Sequence, residues 1–438
     1  MAFIPYYILI LGATIVVDYF AGILIESANG EKRKRLFLIM SLVANIGVLA
    51  VFKYYNFFIE NIDRLTASLG FESPIPYLSI ILPIGLSFHT FQAMSYTIEI
   101  YRGNFKAERH FGIYALYVMF YPQLVAGPIE RPQNILPQLR KKNDVDYDRI
   151  VSGLKMMLWG FFKKIVIADR LSVIVNYAYN SPEQYDGISL LFATYCFAFQ
   201  IYCDFSGYSD IAIGAAKVMG YDLMENFKTP YISKSIKEFW ERWHISLSSW
   251  FRDYLYIPLG GNRVLKWRWY YNLFIVFIVS GFWHGANWTF IIWGALHGFY
   301  LVAALLLSVA FKRYMENKSM PIQWIKIVFT FHLAVFAWIF FRAKDLSVAK
   351  VIIYKIFDFS NYSIQDVHLL SVMKLATILL TVFLLFLFIL SDVKMDGLIK
   401  NRLVLKSKFF NMALYALILV FILMFGYFGQ TDFIYFQF

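Results

Sequence analysis

Charge is scarce in this chain. Of its 438 residues, 16% are Asp, Glu, Lys or Arg, while 59% are hydrophobic and 20% aromatic. Soluble globular domains carry about 25% charge and about 45–50% apolar residues. The shortfall excludes an ordinary soluble domain and fits an all-α polytopic membrane protein. Cysteine is scarcer still. Cys196 and Cys203 stand seven apart in one apolar segment. That is about two helical turns, too far to bridge, so a disulfide framework is excluded, and no zinc-ligand spacing is present. A basic leader is also missing. Met1-Ala2-Phe3-Ile4-Pro5 opens an apolar run that reaches about Ile25 and contains Asp18, so a membrane span is expected rather than a cleaved signal. No lipidation motif, internal repeat, soluble domain or glycan-binding domain is legible.

What is present is a set of long apolar runs. A span needs about 20 mostly apolar residues. Candidates cover 5–26, 36–58, 76–100, 111–128, 150–178, 188–220, 268–283, 286–311, 323–341, 371–391 and 409–428, about eleven transmembrane or re-entrant passes. Pro83-Ile84-Gly85 and Val125-Ala126-Gly127-Pro128 interrupt two of them. Broken helices at membrane depth need protein or a water-filled cavity to satisfy the freed backbone. The net charge is +12, but the bases cluster in short loops. That pattern reports membrane topology rather than nucleic-acid binding. It puts Glu31 to Arg35, Arg131 to Lys142, Lys234 to Arg242, Arg263 to Arg268 and Lys400 to Lys408 in the cytoplasm, with both termini outside. Arg342 to Lys355 conflicts mildly, because its bases would face out.

The segment 229–266 is too charged to span and too aromatic to float free. Trp243, Leu247, Trp250 and Tyr254 recur at helical spacing, with Lys237, Glu241 and Asp253 on polar flanks. A re-entrant or interfacial amphipathic helix is predicted, ending at the turn Ile257 to Asn262. Inside it stands His244, and His284 closes the apolar run at Ser280-Gly281-Phe282-Trp283-His284-Gly285. An ionisable side chain at membrane depth is costly and therefore a functional candidate, and histidine is suited to moving a proton near neutral pH. Two histidines forty residues apart with no dedicated carboxylate make an incomplete metal site, so no metal is expected. His297 is expected to make a helix–helix hydrogen bond, and the remaining histidines belong to no constellation.

Six motifs, in order, carry a resemblance. They are Pro83 to Phe88, Tyr121 to Pro128, Asp204-Phe205-Ser206-Gly207-Tyr208-Ser209-Asp210, Glu241 to Tyr254, Gly281 to Trp288 with Trp293 to Gly298, and Phe433 to Phe438. Together they resemble the bacterial membrane-bound O-acyltransferases over nearly the whole chain. The likeness is greatest to the branch that holds alginate and peptidoglycan O-acetyltransferases and the related teichoic-acid D-alanylation protein. The resemblance implies one domain over 1–438, a helical bundle around a central funnel or tunnel, and a bacterial inner-membrane location. It puts the family's histidine on His284 and the second polar position on His244.

The implied activity is acyl transfer from acetyl-CoA, a donor substrate and not a permanent cofactor, toward an extracytoplasmic polysaccharide such as peptidoglycan or an alginate-like polymer. His284 would take the acceptor proton, and His244 would orient the acceptor or donate to the oxyanion. Lys237, Arg242, Arg252 and Arg263, with Trp243, would face the donor phosphates. Asp204, Ser206 and Asn287 are candidates for the cavity wall. In this branch a terminal aromatic motif implies a relay, so the Tyr435 hydroxyl in the outer tail 429–438 would carry the acetyl group, docked by Phe433, Phe436 and Phe438. A separate extracytoplasmic transferase would complete delivery. The competing reading, a flippase of lipid-linked sugar, predicts inverted repeats. None is found, and that reading gives no reason for Trp-His-Gly at a span end.

Overall fold

The computed structural model describes residues 7–71, 73–80, 83, 85–124, 127–310, 317, 319–359, 379–386, 388–389, 392, 408–429 and 433–434. Among the described residues the regular elements are all helical. Among the described residues five helices are long and apolar enough to cross a membrane: Tyr7–Ser27, Glu31–Ser68, Gly187–Val218, Trp288–Ser308 and Met320–Arg342. Expected spans were shortened where backbone chemistry intervened. Among the described residues of the run 76–100 the helix is Leu86–Tyr101, after Gly85 at φ 78°. The run 111–128 yields Phe111–Val118 and the single turn Tyr121–Leu124. Most of 371–391 lies outside the described residues.

The chain divides into two compact units, Met1–Tyr147 with Met219–Met224, and Asp148–Val218 with Glu225–Phe438. In the first, Asp18 is fully buried. Its carboxylate accepts from Ser41 Oγ at 2.6 Å and from Asn45 Nδ2 at 2.9 Å. These bonds tie Tyr7–Ser27 to Glu31–Leu49 and satisfy a charge that would otherwise oppose insertion.

The second unit is built around Gly187–Val218. Tyr147–Phe161, a π-helical turn Phe162–Ala168 and Asp169–Asn180 run against it. Glycine makes the approach possible. A Cβ on Gly160 would lie 2.6 Å from the Gly207 carbonyl oxygen, and one on Gly214 would lie 2.6 Å from that of Gly153. Gly153 and Gly160 stand seven apart on one helix, as do Gly207 and Gly214 on the other, two turns on one face, so the helices meet along an antiparallel stripe of bare backbone. The close approach brings two interior lysines to carboxylates. Lys163 pairs with Asp210 at 2.5 Å, and Lys164 pairs with Asp169 at 2.7 Å and Asp204 at 2.8 Å.

A second tight pair is the hairpin Lys266–His284 and Trp288–Ala310. A Cβ on Gly281 would fall 2.2 Å from the Phe290 carbonyl oxygen, and one on Gly294 would fall 2.2 Å from that of Phe277. That contact puts His284, the last residue of the first helix, against the start of the second. Met320–Arg342 and Leu346–Phe357 follow, the latter capped by Asp345, whose carboxylate accepts from Val348 N–H at 2.9 Å.

Candidate active site

The predicted continuous helix around His244 is broken. Ile236–Arg242 starts at Ser235, whose Oγ accepts from Glu238 N–H at 3.1 Å. Ile245–Phe251 follows, and between the two helices His244 adopts φ 44°, ψ 55°. The left-handed region is uncommon for any residue but glycine and marks a site that its surroundings over-determine. Here the loop 226–228 does so. Lys228 N–H donates to the Arg242 carbonyl and Ile245 N–H to the Asn226 carbonyl, both at 2.9 Å, replacing helix bonds across the break. The periodicity of Trp243, Leu247 and Trp250 therefore marks burial inside protein rather than a stripe at the lipid surface.

His244 is 0% exposed. Its tautomer follows from its neighbours. Ser246 N–H, which can only donate, points at Asn226 Oδ1 at 3.2 Å, so that atom is the amide oxygen. Ser246 Oγ donates to the same oxygen at 2.9 Å, and Asn226 Nδ2 donates to Ser209 Oγ at 3.2 Å. His244 Nδ1 lies 3.1 Å from Asn226 Oδ1 and must carry the proton. Nε2 is then the lone-pair nitrogen. Burial pushes the imidazole down to about 3, so the ring is neutral. Of the two roles expected for His244, this tautomer suits orienting a hydroxyl, because the ring N–H is already committed.

His284, 4% exposed, is surrounded by Trp283, Trp293 and Phe341, with ring centroids at 4.9, 5.0 and 5.3 Å. Trp283 also meets His244, at 6.4 Å. The two histidines, forty residues apart in the chain, thus flank one indole. His297 makes its expected bond between helices. Trp240 Nε1 donates to its Nδ1 at 3.2 Å. It also sits 5.1 Å from Trp293, whose other neighbour is His284. The non-helical residues 285–287 place His284 and His297 on two helices of a hairpin, so they share one aromatic cluster instead of diverging around a single helix.

The other candidates separate. Asp204 and Ser206 are buried on either side of Phe205, whose ring meets His244 at 4.5 Å. Asp204 uses one oxygen on Lys164 and accepts Ile434 N–H on the other, at 2.8 Å. Phe433, just before it, packs on Tyr208 at 4.5 Å and Phe205 at 6.1 Å. Phe433 thus packs against the helix Gly187–Val218, whereas Tyr435, Phe436 and Phe438 lie outside the described residues.

Asn287 is engaged in two hydrogen bonds. Its Oδ1 caps the next helix at Thr289 N–H, at 3.0 Å, and its Nδ2 donates to the Lys344 carbonyl at 2.9 Å. Trp243, expected at the basic rim, is 2% exposed and enclosed by Phe227, Phe239 and Trp338, because the break at His244 turns it inward. Arg242 spends its guanidinium on Glu238 at 2.8 Å and on the Lys228 carbonyl at 3.3 Å. Lys237, Arg252 and Arg263 are exposed, the first two beside Glu241 and Asp253. Sequence reading missed Asn226, Ser209, Ser246 and Lys164. Ser246 is two residues from His244, a local hint, but the others meet the site only through the fold.

A model of the membrane-bound O-acyltransferase family matches residues 108–343, the stretch that contains both histidines. The chain is 39% identical to the probable alginate O-acetylase of Azotobacter vinelandii over 85% of this chain and 73% of the relative. It is 38% identical to the peptidoglycan O-acetyltransferase of Helicobacter pylori over 78% and 68%. To the teichoic acid D-alanyltransferase of Bacillus subtilis it is 30% identical over 61% and 71%.

Proposed function

The chain belongs to the membrane-bound O-acyltransferase family and is a multi-pass membrane acyltransferase; on that premise we propose that it moves an acetyl group from acetyl-CoA toward a polysaccharide hydroxyl across a bacterial inner membrane. The relatives named for alginate and peptidoglycan O-acetylation support acetyl as the cargo and an envelope polysaccharide as its destination. The observation that carries the reading is the pair of buried imidazoles that both meet the Trp283 indole.

In this reading His244 Nε2 accepts a hydrogen bond from the acceptor hydroxyl as it binds and aims its oxygen; the hydroxyl then turns its one proton to His284 as attack begins. The oxygen attacks the thioester carbonyl carbon, His284 takes the proton, the C–S bond breaks, and the proton passes to the departing thiolate. General-base assistance of this kind contributes about 10²–10⁴-fold. The water-poor aromatic enclosure favours transfer over hydrolysis. Lys237, Arg252 and Arg263 hold the donor phosphates at the cytoplasmic face, and both termini lie outside. The Tyr435 hydroxyl is the first acceptor, and a separate extracytoplasmic transferase passes the acetyl group from it to the polysaccharide.

The test uses purified full-length protein and acetyl-CoA labelled in the acetyl group. Exchange or slow hydrolysis is expected, and both should disappear in His284→Ala that still elutes as a monodisperse species. Activity retained in that variant would overturn the base assignment. An inert parent protein would favour a lipid-linked sugar transporter. A Tyr435→Phe protein that acetylates the cell's glycan normally would eliminate the relay.

A further inference from the structure

The C-terminal segment is held to the second unit by its own backbone. Past the helix Lys408–Phe425, Tyr427 N–H donates to the Ile165 carbonyl at 3.0 Å, and the Phe425 carbonyl accepts from Arg170 at 2.6 Å. Ile165 lies in the π-helical turn Phe162–Ala168, which also carries Lys164. Seven residues on, Ile434 N–H donates to Asp204 Oδ2 at 2.8 Å, while Asp204 Oδ1 faces Lys164 Nζ at 2.8 Å. Phe433 and Ile434 are 3% and 0% exposed. One short turn of helix thus anchors the segment directly at Tyr427 and, through Lys164 and Asp204, at Ile434.

From this geometry we infer that Asp204 is a positioning residue that latches the C-terminal segment beside His244. A carboxylate suits the task because it offers two acceptor oxygens. One faces the lysine and the other takes the backbone amide. A carboxamide keeps one of the two oxygens and turns an NH2 toward the other partner, donor against donor. Lys164 keeps Asp169 at 2.7 Å whatever stands at 204, so the joint tolerates a neutral residue there without stranding a buried cation. Because the bond is to a main-chain N–H, the latch is indifferent to the side chain at 434. The consequence for catalysis rests on the relay reading of Tyr435. The latch itself does not.

The test separates the two. Ile434→Cys is introduced into the full chain with and without Asp204→Asn. The native thiols, Cys196 and Cys203, are 0% exposed and give little background. In detergent, a small maleimide should label Cys at 434 slowly beside Asp204 and about tenfold faster or more beside Asn, as expected for loss of a charge-assisted hydrogen bond. Asp204→Glu keeps the charge but moves both oxygens by one methylene. It should also speed labelling, and it serves if the Asn protein does not fold. Equal labelling rates in the parent and a folded variant would overturn the latch. Acetylation of the C-terminal peptide, read by mass spectrometry after incubation with acetyl-CoA, should fall in parallel while hydrolysis to water persists. A parent whose peptide never carries acetyl would sink the relay and leave the labelling result to decide the latch.

Discussion

Two groups of basic residues in the second unit behave in opposite ways. Lys163 and Lys164 are enclosed between helices and pair with Asp210, Asp169 and Asp204. Lys237, Arg252 and Arg263 stand exposed on a short segment whose acidic neighbours belong to the same stretch of chain. In sequence the second group draws the eye, because its bases are dense and lie beside a histidine motif. In space the first group has the fixed geometry. Enclosure makes an ion pair costly to form and costly to break, whereas exposure makes it worth little. Density of charge along a chain is therefore a poor guide to which charges hold a structure in place.

Interior and exterior groups should differ steeply on substitution. The largest effect belongs to the interior. His284→Ala should lower acetyl transfer by about 10²–10⁴-fold with folding intact, measured as turnover of labelled acetyl-CoA. Next, Lys164→Ala removes a counter-ion shared by Asp169 and Asp204. It should cost about 3–5 kcal/mol, read as a fall in the thermal midpoint in detergent. A midpoint unchanged from the parent would erase the contrast between the two groups.

A smaller effect tests the site's electrostatics. Burial keeps His244 neutral with a value of about 3, so the parent should show no loss of rate from this ring as the pH falls from about 7 to about 5. Asn226→Asp puts a carboxylate against the Nδ1 proton and stabilises the imidazolium, so the value rises. The rate should then fall as pH falls through that new value, adding an acid limb to the pH–rate profile. A profile superimposable on the parent's would argue against the assigned tautomer. Smallest of all, Lys237→Ala and Arg263→Ala should each shift the thermal midpoint by no more than about 1 kcal/mol of stability allows. They should raise the KM for acetyl-CoA severalfold and leave kcat in place. A KM unmoved by both together would remove the rim from donor binding.

Much of the helical framework was legible because its cause is local. Apolar runs long enough to cross a bilayer became Tyr7–Ser27, Gly187–Val218, Trp288–Ser308 and Met320–Arg342, close to their expected limits. Length and hydropathy decide such elements before any packing occurs. The run 76–100 came out shorter because Gly85 takes a left-handed conformation that starts the helix late. The segment around Trp243 misled for a different reason. Helical spacing of aromatics reports one buried face, but the face can be turned toward protein as easily as toward lipid. A loop sixteen to eighteen residues upstream imposed the break at His244 through Asn226 and Lys228.

By itself, then, the chain's composition and motif order determined a polytopic helical acyltransferase and singled out His244 and His284 as candidates, since hydropathy and residue type act over short stretches. The tertiary structure alone decided that these rings share Trp283, that Asn226 selects the proton-bearing nitrogen of one of them, and that Asp204 grips the backbone of the C-terminal segment. Those relations join residues far apart in the chain. They exist only once glycine-lined helices have closed on one another and the buried polar groups have been forced to find partners.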